Sequence, residues 1–101
     1  MAEPVLATLL IDVRLYLGIN WVDDLTDQKL LGMISRGVIR LQKIAGITLD
    51  FNVEDEPKTL LLDYVRYANS QALEMFEKNF ASELMSLHIH SLVDAEVEVT
   101  I

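Results

Sequence analysis

The sequence predicts an all-α fold, a small bundle of three to four helices with an extended C-terminal tail. Apolar residues recur at the i, i+3, i+4 spacing of a helix over most of the chain. The stretches between these periodic segments are short, as in helical bundles. With 101 residues the chain has the size of a single domain. We assign residues 1–94 to a helical domain and residues 95–101 to the tail.

The first predicted helix runs from Pro4 to Leu17. Pro4 suits the first turn of a helix, where its missing N–H costs nothing. Gly18 is suited to end the helix as a left-handed cap. The apolar stripe of this helix consists of Leu6, Leu9, Leu10, Val13, Tyr16 and Leu17.

The second predicted helix runs from Thr26, taken as N-cap, to a stop at Gly46. Asp27 favours the positive end of the helix dipole, and Leu25 with Leu30 would form a hydrophobic staple. The buried stripe is predicted to contain Leu30, Ile34, Val38, Leu41 and Ala45.

Three further residues, in or beside this helix, each allow two structural interpretations. Gly32 and Gly37 lie inside the helix, where each costs about 1 kcal/mol relative to alanine unless another helix approaches closely. Trp21, the single tryptophan, is either an interface anchor or a residue that closes the end of the core. We favour the core position for Trp21 on burial tendencies.

The pattern then alternates with period two from Ile47 to Val53, which is typical of an extended strand. Glu56-Pro57 predicts the entry to a third helix that continues to a break at Asn79-Phe80. Its core face would hold Leu61, Tyr64, Val65, Ala68, Ala72, Met75 and Phe76.

The last segment is ambiguous. As a helix, its shared face would contain Ala81, Leu84, Met85, Ile89, Leu92 and Val93. The final AEVEVTI alternates again and is predicted to be extended. We interpret both alternating stretches as interaction segments, since extended backbone can add to a neighbour.

The composition excludes several classes of protein. Sixteen acidic against eight basic residues give a net charge of −8, which repels nucleic acid over most of the surface. The N-terminal sequence shows no signal peptide and no membrane span, so a cytosolic chain is expected. A hydrophobic content of 51% is high for so acidic a protein and suggests apolar surface kept for partners.

The two histidines, His88 and His90, are the most conspicuous candidates for chemistry. On a helix they point about 200° apart, and on a strand they would share a face but lack a third ligand. No HxxxH or HxxE spacing supports a metal site. We therefore predict ordinary surface histidines and no metal.

Other enzyme signatures are missing. The sequence contains no GxSxG, GxxxxGK[ST] or GxGxxG motif, and these motifs would carry a nucleophile or a phosphate site. Asp23-Asp24 and Glu54-Asp55-Glu56 stand beside helix starts, where capping explains them. The sequence predicts neither catalytic residues nor a cofactor, and hence no enzyme.

Charge is distributed unevenly. Half of the eight basic residues fall on one side of the second predicted helix, and an acidic group follows in the next connection. This could be a solvated face and a solvated loop, or the two complementary patches of a head-to-tail assembly. The candidate interface residues are Lys29, Arg36, Arg40, Lys43, Asp50, Glu54, Asp55 and Glu56.

Three stretches of the sequence are similar to a known family. They are IDVRLYLGINWVDDLTDQKLLGMISRGVIRLQKIAG, LLLDYVRYANSQALEMFEKNF and ASELMSLHI. Together they resemble the small head–tail connector proteins, also called head-completion or DNA-packaging proteins, of tailed bacteriophages and prophages. Trp21 and the AEVEVTI ending depart from the common pattern.

The resemblance implies a helical subunit of a homo-oligomeric ring at the head–tail junction of the virion. Its implied partners are the portal protein and a downstream connector or tail-completion protein, with assembly in the host cytoplasm. DNA would pass through the channel without sequence-specific binding, and an acidic wall would let it slide. The alternative is an acidic helical DNA-binding or regulatory adaptor that uses the basic side of the second helix.

Overall fold

The structure is a computed structural model that describes the backbone of residues 3–100 and the side chains of residues 5–93. Over this range the chain forms five α-helices and no strand, which confirms the all-α prediction but exceeds the expected number of helices. The helices are α1 Glu3–Leu17, α2 Asp24–Ala45, α3 Glu56–Asn69, α4 Leu73–Asn79 and α5 Ala81–Thr100.

Helix α1 ends as predicted, at Gly18. This glycine has a φ of 74°. Its N–H donates to Leu15 O at 3.2 Å, and the Ile19 N–H donates to Arg14 O at 2.9 Å. These two bonds form a Schellman motif, which satisfies carbonyls that a helix end leaves without partners.

Helix α2 begins earlier than predicted. Its N-cap is Asp23, whose side chain accepts from the Thr26 N–H at 3.1 Å and from the Thr26 hydroxyl at 2.7 Å. The prediction of Thr26 as N-cap is wrong, because the Asp23 carboxylate caps the Thr26 N–H and the helix begins three residues earlier than predicted. The predicted staple is also wrong, since Leu25 is 77% exposed. The stop at Gly46, with φ 79°, is confirmed.

The core is built around α2, which contacts α1, α3 and α5. The predicted stripe is confirmed, because Leu30, Ile34, Val38, Leu41 and Ala45 are all buried. Gly37 lies against α3: a Cβ on this glycine would stand 2.7 Å from Leu61 Cδ1 and 2.8 Å from Tyr64 Cδ1. Gly32 has no such neighbour, since only the Arg36 side chain comes within 4 Å.

The predicted third helix is in fact two. Helix α3 starts at the Asp55 N-cap with a proline in its first turn, as Glu56-Pro57 predicted. It ends at Asn69, because Gln71 adopts a left-handed conformation with φ 57°. The Gln71 and Ala72 N–H groups donate to Ala68 O and Tyr67 O, which is a Schellman motif without glycine. Helix α4 then turns back and buries Phe76 against Tyr64, with ring centroids 5.4 Å apart.

Helix α5 resolves the ambiguous last segment as helical. Its backbone continues through Thr100, so the extended conformation expected for 95–101 is wrong up to residue 100, and Ile101 lies outside the described residues. The apolar face that the sequence groups together on this helix lies mostly in solvent. Leu84, Leu87 and Ser91 are buried, whereas Met85, Ile89, Leu92 and Val93 are exposed.

Residues 47–53 form an irregular connection and pair with no strand. Their alternation places apolar side chains on the core of this chain: Phe51 is buried, and Ile47 and Leu49 pack against the core cluster. Val53 alone of the four apolar residues is exposed. This connection therefore offers little apolar surface to a partner.

No described helix is long and apolar enough to cross a membrane.

Candidate interaction surfaces

The four basic candidates on α2 form one exposed strip, which we call the basic ridge (Lys29, Arg36, Arg40, Lys43). Arg40 is paired with Glu77 of α4, the nearer contact being 2.5 Å, and the carboxylate raises the pKa of the guanidinium. Lys29, Arg36 and Lys43 form no ion pair with a described side chain. Ile39, which is 61% exposed, adds an apolar residue beside Arg36.

Each of the four acidic candidates contacts another group of the same chain. Asp50 accepts from the Asn52 N–H at 2.9 Å, and Asp55 accepts from the Glu56 N–H at 2.8 Å. Glu54 accepts from Lys58 at 2.5 Å. Glu56 Oε2 lies 3.4 Å from His90 Nδ1. An interface between the acidic connection at residues 50–56 and the basic ridge stays a prediction. A turn, a helix cap and ion pairs within the chain already explain why these positions are acidic.

The connection between α1 and α2 exposes a second group of apolar side chains. Trp21 is 55% exposed, so its predicted place in the core is wrong. Val22 and Leu25 beside it are also exposed. Arg14 holds this connection in place, because its guanidinium donates to the Trp21 carbonyl and contacts Asp27 at 2.7 Å. The apolar group is therefore presented on a fixed backbone.

A third surface is the outer side of α5, which we call the α5 apolar face (Met85, Ile89, Leu92, Val93). These residues stand at i, i+4, i+7 and i+8, so they adjoin one another on one side of the helix. All four are at least half exposed. Contiguous apolar surface of this kind marks an interaction site more often than chance exposure does.

The histidines point away from each other, as predicted from helical geometry. His88 Nδ1 lies 2.8 Å from the Ile44 carbonyl in the last turn of α2, so this nitrogen donates its proton there. His90 is exposed and contacts Glu56 at the start of α3. Among the described side chains, no group of three potential ligands could hold a metal ion. Both histidines thus serve contacts between helices.

Two polar contacts between α1 and α3 were not predicted from the sequence. Lys58 is buried, with its Nζ 2.5 Å from Glu54 and 2.8 Å from Asp12 Oδ2; the second contact is an ion pair without good hydrogen-bond alignment. The Tyr16 hydroxyl donates to Asp63 at 2.5 Å. Lysine at 58 and aspartate at 63 fall on the side of α3 that faces α1, which periodicity does not reveal. These contacts fix α1 against α3.

A groove with a volume of about 410 Å³ runs between α3 and α5. We call it the α3–α5 groove. Its lining combines carboxylates, hydroxyls and two apolar side chains: Glu56, Asp63, Glu83, Thr59, Ser82, Ser86, Leu60 and Phe80. Sequence reasoning missed it, because its two walls are far apart in the sequence, at residues 56–63 and 80–86, and the split of α3 from α4 was not predicted.

Comparison of the chain with protein-family models, curated proteins and solved structures finds no significant match.

Proposed function

We propose that the chain is a structural virion protein, a head–tail connector of a tailed bacteriophage or prophage that works without catalysis. Copies of it would form a ring beneath the portal protein and extend the DNA channel. The ring would offer a docking surface to the next connector or tail component. Its place would be the head–tail junction, reached after synthesis in the host cytoplasm.

The observation that carries this proposal is the α5 apolar face. A small acidic protein that acted alone would gain nothing from four adjoining exposed apolar residues on one helix. The apolar group at Trp21 and Leu25 lies at the N-terminal end of α2, whereas His88 of α5 contacts Ile44 at the C-terminal end of α2. A subunit with two separate apolar surfaces is suited to bind more than one neighbour, as a connector does.

The net charge of −8 supports the same proposal. A channel wall that attracted phosphate groups would hold DNA back, whereas an acidic wall lets the DNA pass. In this proposal residues 95–101 are a further docking segment. Deleting them should leave the helical domain folded and impair head–tail joining.

Co-sedimentation tests the proposal. The purified chain is mixed with portal-bearing heads that lack the connector, and with heads that lack the portal. We expect the chain to sediment only with portal-bearing heads. Ile89→Asp, which places a charge in the α5 apolar face, should reduce binding. Met75→Asp makes the same change on an exposed apolar residue of α4 and should leave binding unchanged.

A chain that stays in the supernatant with portal-bearing heads would contradict the connector proposal. If the Ile89→Asp and Met75→Asp variants bind equally well, the α5 apolar face is not the docking surface.

The second candidate is a DNA-binding or regulatory adaptor, favoured by the exposed basic ridge. Residues 18–23 separate α1 from α2, which is longer than the three to four residues of a helix-turn-helix. Fluorescence anisotropy with duplex DNA at low and moderate salt distinguishes the candidates. Salt-dependent DNA binding that Arg36→Glu abolishes would favour the adaptor.

A further inference from the structure

The α3–α5 groove opens on the side of the molecule turned away from α2. On α3, Leu61 and Tyr64 face α2 at Gly37. Asp63 of the groove lies about 160° from Leu61 and about 100° from Tyr64 around the helix. On α5, His88 meets α2 at Ile44. Glu83 stands more than a third of a turn from His88 around that helix.

The basic ridge faces the opposite way. Arg36 lies about 160° around α2 from the buried Ile34 and is exposed. Since α3 and α5 both pack on the buried side of α2, the ridge and the groove point in opposite directions. They cannot meet within one subunit. Two surfaces related in this way can meet between successive copies of the chain.

The chemistry of the two surfaces is complementary. In the groove, Glu83 makes no ion pair with a described side chain, and Glu56 reaches only His90. The apolar part of the groove is formed by Leu60 and Phe80. The ridge offers guanidinium and ammonium groups, with Ile39 exposed among them. Carboxylates beside an apolar wall match cations beside an apolar side chain.

We infer that the α3–α5 groove of one copy receives the basic ridge of the next copy in a head-to-tail contact. Arg36 pairs with Glu83, and Ile39 packs on the apolar wall at Leu60 and Phe80. A guanidinium can bind a carboxylate through two parallel hydrogen bonds, which gives the contact a register. Such a heterologous contact closes a ring when the rotation between copies allows it.

This inference deepens the proposed connector function and rests on it, because it names the contact that would build the ring. It also changes the partner of the basic ridge. The acidic connection at residues 50–56 was the expected partner, but its carboxylates are engaged within the subunit. Of that group only Glu56 lines the groove.

Sedimentation velocity of the full chain over a range of concentrations tests the contact. We expect wild-type protein to self-associate reversibly, and more weakly at high salt. Arg36→Glu and Glu83→Arg should each weaken self-association by about tenfold or more. A 1:1 mixture of the two variants should associate again, since every contact in an alternating assembly then joins opposite charges. The double variant should also associate.

Lys78→Glu is the matched control. It makes the same charge reversal at an exposed residue of α4 that belongs to neither surface, and it should associate like wild type. Circular dichroism of each variant establishes that it is folded. Recovery in the 1:1 mixture provides the same proof, because unfolded chains would not restore association.

Three results would overturn the inference: wild-type protein that remains monomeric at low salt, an Arg36→Glu variant that associates like the control, or a mixture that does not recover. The outcome is separable from that of the connector proposal. Charge-swapped association without binding to portal-bearing heads retains the contact and removes the connector function. If the chain binds portal-bearing heads and Arg36→Glu does not change this binding, the connector function stands and the head-to-tail contact is contradicted.

Discussion

Gly37 controls how closely α2 and α3 pack. Because a Cβ there would stand 2.7 Å from Leu61 and 2.8 Å from Tyr64, Gly37→Ala should push the helices apart. We expect it to lower the free energy of unfolding by about 1–3 kcal/mol, less the gain of up to about 1 kcal/mol that alanine brings to a helix interior. Urea denaturation measures the difference.

Gly32→Ala is the control on the same helix. Only the movable end of Arg36 comes near, at 3.3 Å, so this substitution should raise the free energy of unfolding by up to about 1 kcal/mol. Equal effects at both positions would show that helix propensity, and not packing, decides the cost.

Gln71 carries strain that a glycine would relieve. A non-glycine residue in the left-handed region costs about 1–2 kcal/mol, and the added freedom of glycine in the unfolded chain offsets part of this. Gln71→Gly should therefore stabilise the protein by about 0.5–1 kcal/mol. Gln71→Ala keeps the strain and should stabilise little or not at all. Thermal unfolding of both variants tests this. If only the alanine variant were stabilised, the backbone conformation of Gln71 would not be the source of strain.

At the scale of elements, the contact between α1 and α3 makes stability depend on alkaline pH. The carboxylates of Asp12 and Glu54 raise the pKa of the Lys58 ammonium. The hydrogen bond to Asp63, together with burial, raises the pKa of the Tyr16 phenol. Both groups thus bind their protons more tightly in the folded chain.

The resulting prediction concerns the range above pH 10. Below the unfolded pKa values of about 10 both groups are protonated in either state, and their contribution is complete. As pH rises further the unfolded chain loses protons first, so the free energy of unfolding should fall. Urea unfolding at pH about 9 and about 11 measures this. Tyr16→Phe combined with Lys58→Met should flatten the dependence, whereas Lys78→Met should not. A slope unchanged in the double variant would refute the assignment.

Elements with strong local signals could be predicted from the sequence. The stripe of α2 and the caps at Gly18 and Gly46 follow from periodicity and from glycine's access to the left-handed region. The break at Gln71 did not, because no glycine or proline marks it. The grouping of Met85, Ile89, Leu92 and Val93 on one side of α5 follows from periodicity, but only tertiary packing decides whether that side meets the core or the solvent.

The same distinction applies to the whole molecule. The basic ridge was found from spacing alone, since charged residues on an isolated helical face need no tertiary information. The α3–α5 groove was not found from the sequence, because α3 and α5 meet only after α4 reverses the chain. Trp21 was misplaced because burial tendencies are averages, and here Arg14 fixes the connection in a position that leaves the indole outside.

The close packing of α2 and α3 at Gly37 leads to an expectation about folding order. Helices α2 and α3 are consecutive, and chains dominated by contacts between neighbouring elements fold fast. We expect the α2–α3 pair to be structured in the transition state, with α5 docking afterwards. Leu61→Ala should then slow folding, whereas Leu84→Ala should mainly accelerate unfolding, as stopped-flow chevron plots would measure. A slower folding rate for the Leu84 variant would place α5 in the nucleus instead. If the order is as expected, the exposed side of α5 is the last surface of the chain to take its final form.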